Sequence, residues 1–193
     1  ERGLKLSEEK TVITNINDGF DFLGWNFRKY RGKLLIQPSR KSKQKITKSL
    51  SRTVKYYHEA SQELLIIKLN QITRGWAEYH HCICAKKTYA LIDHRLWEML
   101  WKWAKRRHPR KGRKWIKNRY WHPKGNREWS FRTDRAILYQ MMDMPIVRIR
   151  SLDLKKNPFL DSDYFERRRK QHKKDKETAY FSSTAALSGY YAL

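Results

Sequence analysis

A chain of 193 residues with 44 Lys plus Arg against 19 Asp plus Glu has a formal net charge of +25, and such a surface repels itself unless a polyanion or counterions neutralise it. Hydrophobic residues at 39% and aromatics at 13%, with 8 Trp and 11 Tyr, exclude a solvated basic tail. No apolar run approaches the roughly 18 residues of a membrane span, and Glu1-Arg2-Gly3-Leu4 lacks the basic-then-apolar pattern of a signal peptide. Nothing reads as an amphipathic membrane anchor either. The composition therefore points to a soluble, cytoplasmic protein whose partner is nucleic acid, because each phosphate contact releases a condensed counterion. Cys82 and Cys84, one residue apart, suit neither a typical structural disulfide nor a Cys-x-x-Cys knuckle, and read as reduced thiols.

The first 37 residues read as β-rich. Leu4, Leu6, Val12 and Ile13 are short apolar pieces, and Gly19–Phe27 alternates apolar with small or polar residues, the period of a half-buried strand. Arg31-Gly32 turns that strand into Lys33–Ile36, which predicts a hairpin over 20–36 closed by Pro38-Ser39. Two strands alone are marginal in water, so this hairpin is expected to be poorly packed by itself.

From Ser42 the period changes: Ile46, Leu50, Val54 and Tyr57 form one helical stripe, with Lys41, Lys45, Lys48, Arg52 and Lys55 on other faces. A second helical segment holds Leu64, Leu65, Ile67 and Leu69, and is expected to break at Asn70 before Ile72, Trp76 and Tyr79 resume the spacing. A third runs from Thr88 to about Arg106 on Ile92, Leu96, Met99, Leu100 and Trp103. These segments predict a small helical bundle over 40–107. Pro109, Gly112, Pro123 and Gly125 punctuate the stretch after the third helix, Ile146–Arg150 suits a strand, and Glu166–Lys174 reads as a solvated helix or tail. Residues 178–193 show no pattern and are expected to be flexible. The fold class is mainly α, with a β-hairpin before the bundle and a basic, partly irregular region after it.

Between Glu98 and Glu128 there is no acid, while Lys102, Lys105, Arg106, Arg107, Arg110, Lys111, Arg113, Lys114, Lys117 and Arg119 are basic, with Trp103, Trp115, Tyr120 and Trp121 among them. Cations there suit phosphates, whereas most of the large aromatics are read as core. Arg40, Lys41, Lys43, Lys45 and Lys48 gather at a helix start, where they oppose the helix dipole, so local stability does not explain them and a phosphate partner does. His80, His81, Cys82 and Cys84 lie too close together to converge tetrahedrally, and no second pair completes a metal site. Asp93 and His94 are adjacent on a helix and diverge; Asp134, Asp143, Asp153, Asp161 and Asp163 have no spacing that selects them. No catalytic residue, metal or cofactor is expected.

Three separated blocks carry a family resemblance: Gly19–Phe27; Leu69-Asn70-Gln71-Ile72-Thr73-Arg74-Gly75-Trp76-Ala77-Glu78-Tyr79-His80; and Leu96-Trp97 with Trp101–Pro109. In that order they resemble the C-terminal half of group II intron-encoded reverse transcriptase/maturases. The resemblance implies that 1–37 is the end of a reverse transcriptase palm and 38–107 the thumb, or maturase-specific domain X. It also implies that 108–160 is a DNA-binding-like region, followed by a basic tail at 161–193. It implies packing roles for Phe22, Trp25, Gly75, Trp76, Tyr79, Trp97 and Trp103, and RNA contacts for Arg74, Lys86 and Lys87 beside the cations at the start of the first helix.

Its partners would be group II intron RNA, with target DNA and a fingers–palm polypeptide as further candidates. The family's Tyr-x-Asp-Asp motif is absent, as are the cysteine pairs of its endonuclease. The chain is therefore expected to act as a maturase module that aids splicing and intron mobility without catalysing polymerisation, and to be a remnant, truncation or excerpt of a longer enzyme. The alternatives are one part of an RNA-directed DNA polymerase completed by another polypeptide, and a general DNA-binding protein.

Overall fold

A computed structural model describes residue 7 and residues 11–147 and 152–184. The fold is mainly α-helical, with a small antiparallel sheet ahead of the helices. That sheet has three strands: β1 (Phe20–Phe22), β2 (Trp25–Tyr30) and β3 (Lys33–Pro38), in the order β1-β2-β3. The expected single strand over 19–27 is broken at Leu23-Gly24, where both residues take left-handed backbone (φ 47 and 81) and Phe22 pairs with Trp25. Arg31-Gly32 repeats the same geometry (φ 46 and 78), as the hairpin prediction requires. A two-residue loop of this hand matches the twist of its strands, and glycine supplies one of its positive φ angles without strain. Leu4 and Leu6, and Arg148–Arg150 of the expected strand, lie outside the described residues; Ile146 and Val147 are not in a strand.

Pro38 ends β3, and Ser39 caps α1 (Arg40–Tyr56) by accepting the Ser42 amide, so the helix starts two residues earlier than its apolar period suggests. Ile46, Leu50 and Val54 are its buried stripe. Ser61 caps α2 (Gln62–His80) in the same way, with Glu63 in the first turn, where a negative charge suits the helix dipole. α2 is continuous, so the break expected at Asn70 does not occur. The Asn70 side chain is turned outward to another segment: its Nδ2 donates to the Ile137 carbonyl (2.8 Å) and its Oδ1 accepts from the Tyr139 amide (2.7 Å). α3 (Lys86–Arg107) ends in Lys105, Arg106 and Arg107, the favourable sign at a helix C-terminus.

The region after α3 is more regular than its Pro and Gly content suggests. It holds α4 (Arg113–Tyr120), then β4 (Trp121–Lys124) paired antiparallel with β5 (Arg127–Phe131), and a single 3-10 turn, Met141–Asp143. One hydrophobic cluster runs from Ile46, Leu65 and Leu69 through Leu96 and Leu100 to Ile116, Trp121, Phe131 and Met141. Truncating a fully buried member such as Leu69 or Leu100 to alanine costs about 2–5 kcal/mol. Polar staples reinforce the join. Gln62 Nε2 donates to the carbonyls of Tyr120 (2.9 Å) and Arg132 (3.1 Å), and the Asp93 carboxylate accepts the amides of Met141 (3.1 Å) and Met142 (2.9 Å).

A last helix, α5 (Ser162–Thr184), includes the charge run and extends into the stretch whose sequence shows no pattern. Glu78 on α2 holds it, accepting from Lys176 Nζ (2.6 Å) and Tyr180 Oη (2.7 Å). Burial opposes ionisation of Glu78, but those two hydrogen bonds together with the charges of His81 and Lys176 outweigh it and keep its carboxyl below the usual range. Among the described residues, no helix is long and apolar enough to cross a membrane.

Candidate nucleic-acid interface

The helical repeat of α1 puts Lys41, Lys45, Lys48, Arg52 and Lys55 opposite its buried stripe, and all five are exposed. The helix contains no acidic residue, and among the described residues none of these five cations forms a salt bridge. Arg40 is exposed beside them, and Lys43 is partly covered on the buried side. Arg52 and Lys55 extend the predicted cluster by two turns; their helical spacing is the signal, although the density of cations is highest at the start of the helix.

Lys41 and Lys45 form one wall of a cleft of about 740 Å³. Gly75, Trp76 and Tyr79 of α2 form the facing wall, and Leu23-Gly24 of the β1–β2 turn closes one end. Tyr79 ties that turn down, donating its hydroxyl to the Leu23 carbonyl (2.6 Å), while its ring packs on Trp25 with centroids 5.7 Å apart. The hairpin is thus unevenly anchored: Trp25 is half-buried against the helices, whereas Phe22 is 58% exposed. Gly75 opens the cleft, because a Cβ there would meet nothing within 4 Å, so close packing is not what it supplies.

Polar atoms beneath the cleft are chained through Ser42. Trp76 Nε1 donates to Ser42 Oγ (3.2 Å), which is also hydrogen-bonded to His80 Nε2 (3.1 Å). His80 is fully buried, its Nδ1 has no hydrogen-bond partner, and burial lowers its pKa to about 4. No spacing rule would single out Ser42, since its partners lie 34 and 38 residues away.

The structure divides the remaining predicted contacts. Arg74 lies away from the cleft, its guanidinium 5.2 Å over the Tyr139 ring. Lys86 is spent internally: its Nζ donates to the Met142 carbonyl (2.7 Å) and burial lowers its pKa. Lys87 is exposed. Arg107 also works within the fold, donating to the carbonyls of His58 and Ala60 and lying over the Trp103 ring. Lys102, Lys105, Arg106, Arg110, Arg113, Lys114 and Arg119 are exposed, while Lys111 lies over Trp115 and Lys117 over Trp129. Trp103 is buried with its Nε1 donating to the Tyr57 carbonyl (3.2 Å), and Trp97 packs at the edge of the core. Among the described residues, no group of three or more His, Cys, Asp or Glu gathers as a metal site.

A mainly α-helical, strongly basic domain with a lysine-walled cleft is the class these features define. Residues 40–121 match the family model for the group II intron, maturase-specific domain. That stretch, α1 through α4, is similar to the maturase-specific domain, consistent with the C-terminal part of an intron maturase/reverse transcriptase. The match extends past Arg107 to Trp121, in keeping with the way Ile116 and Tyr120 share the bundle's core. No curated protein matches the chain. The domain implies a maturase-related role in group II intron splicing and an interaction with intron RNA, and it is a non-catalytic domain associated with maturases and reverse transcriptases.

Proposed function

We propose that this chain binds structured group II intron RNA along the α1 stripe and into the adjoining cleft, and thereby assists splicing without polymerase chemistry of its own. The observation that carries the reading is the acid-free α1 surface, with five exposed cations and no internal ion pairs, within the span that matches the maturase-specific domain. Unpaired cations on one helical face gain most from a partner that presents phosphates at short intervals. The deep-narrow and wide-shallow grooves of folded RNA, and its 2′-hydroxyls, give such a surface something to distinguish from duplex DNA. Filter binding of the full chain to intron RNA and to duplex DNA of equal length, at matched salt, tests the proposal. A preference for the intron of about tenfold or more is expected, since pure counterion release treats the two alike. Equal affinities would favour a general DNA-binding protein instead.

A further inference from the structure

α3 presents His94, Trp97 and Trp101 in succession along one side. The rings of His94 and Trp97 lie within 10° of parallel at 6.4 Å, and those of Trp97 and Trp101 within 12° at 5.6 Å. β5 brings Trp129 against both tryptophans, 6.2 Å from each, while Trp121 is buried beneath them. The outcome is a shallow groove of about 420 Å³ in which Trp129 is 42% exposed. Of the tryptophans, Trp103 and Trp121 are buried while Trp115 and Trp129 stay 39% and 42% exposed, and Trp129 is set apart by the two indoles that brace it.

We infer that Trp129, backed by Trp97 and Trp101, is a stacking platform for an unpaired base of the bound RNA. Charge selects that occupant over an apolar protein segment. Lys117 Nζ sits 5.6 Å from the Trp129 ring centroid, and Arg113 and Lys114 are exposed on the same short helix, against two nearby acids, Glu128 beside Trp129 and Glu98, which lies 3.6 Å from His94. Asp93, the carboxylate in the groove, is engaged by the Met141 and Met142 amides. An exposed cation–π contact is weaker than base–aromatic stacking, so an incoming base displaces the Lys117 ammonium from the indole face. The freed ammonium then neutralises a flanking phosphate. The inference rests on the nucleic-acid reading of the chain, but it uses a different surface.

The test measures binding of the full chain to a single-stranded 12-nucleotide oligo(U) RNA and to a duplex RNA hairpin of similar length, with Trp129→Ala, Trp129→Tyr and Lys117→Gln. Trp129→Ala is expected to weaken oligo(U) binding by about fivefold or more and hairpin binding far less, with Trp129→Tyr restoring most of the loss. Cross-linking from 4-thiouridine in the oligomer should map to the peptide containing Trp129 in the wild type. The cross-link keeps the test decisive if Trp129→Ala proves unstable. Unchanged oligo(U) affinity in a folded Trp129→Ala chain, or cross-links confined to other peptides, would overturn the inference while leaving intron binding through α1 intact. Failure of the wild type to bind either RNA would overturn both.

Discussion

Ser42 serves two neighbours at once, its hydroxyl oxygen accepting from the Trp76 indole N–H while the same group is hydrogen-bonded to His80 Nε2. Burial holds His80 neutral, with its pKa at about 4 against the ordinary 6.5. Between those values an unfolded chain binds a proton that the folded one refuses, so stability present above pH 6.5 is lost as the pH falls toward 4. The loss amounts to as much as about 3 kcal/mol. Asp93 acts in the opposite sense, because burial raises its carboxyl from 3.8 to about 6 and its ionisation on going up through that window costs stability. Comparing wild type with His80→Gln isolates the histidine. Urea denaturation at pH 7 and pH 4.5 should show the wild type losing more stability on acidification than the variant; equal losses would contradict a buried neutral imidazole.

Among the elements, α2 is the one through which the parts of the chain are joined. Asn70→Ala should cost about 1–3 kcal/mol by stranding the Ile137 carbonyl and the Tyr139 amide. The expected signature is faster hydrogen exchange at Tyr139, with the interior of α2 unchanged; if α2 itself becomes unprotected, Asn70 is supporting the helix rather than the segment packed on it. Further along the helix, Glu78→Ala removes the acceptor for both Lys176 and Tyr180. Exchange across 162–184 should then rise, as it should in the wild type when acid protonates Glu78, whose depressed pKa makes its contribution present at neutral pH and lost as pH falls.

These same contacts explain what the sequence could and could not show. Ile46, Leu50 and Val54, or Ile92, Leu96 and Leu100, announce their helices because burial follows the local period. Asn70 looks like a breaker because its partner lies 67 residues ahead, where no local pattern reaches. Leu23-Gly24 is hidden inside an alternating run, since Leu is a poor signal for a turn that needs positive φ. In the site, the cations are visible as composition, but Lys86 and Arg107 are distinguished from their neighbours only by the carbonyls they meet.

For the whole molecule, a net charge of +25 sits on a continuous aromatic and aliphatic core, and the positive residues the core does not use gather on α1, around α3–α4 and on α5. Affinity for a polyanion should therefore fall steeply with salt, by an exponent that counts the phosphates neutralised. The most direct test is the salt dependence of intron-RNA binding by the wild type and by a chain carrying Lys41→Gln, Lys45→Gln and Lys48→Gln. All three side chains are exposed, so the variant should keep its fold. If α1 is the RNA-binding face, the variant's log–log slope should be shallower by about 2–3, with a corresponding loss of affinity at low salt. An unchanged slope and affinity would place the RNA elsewhere on the protein and contradict the account.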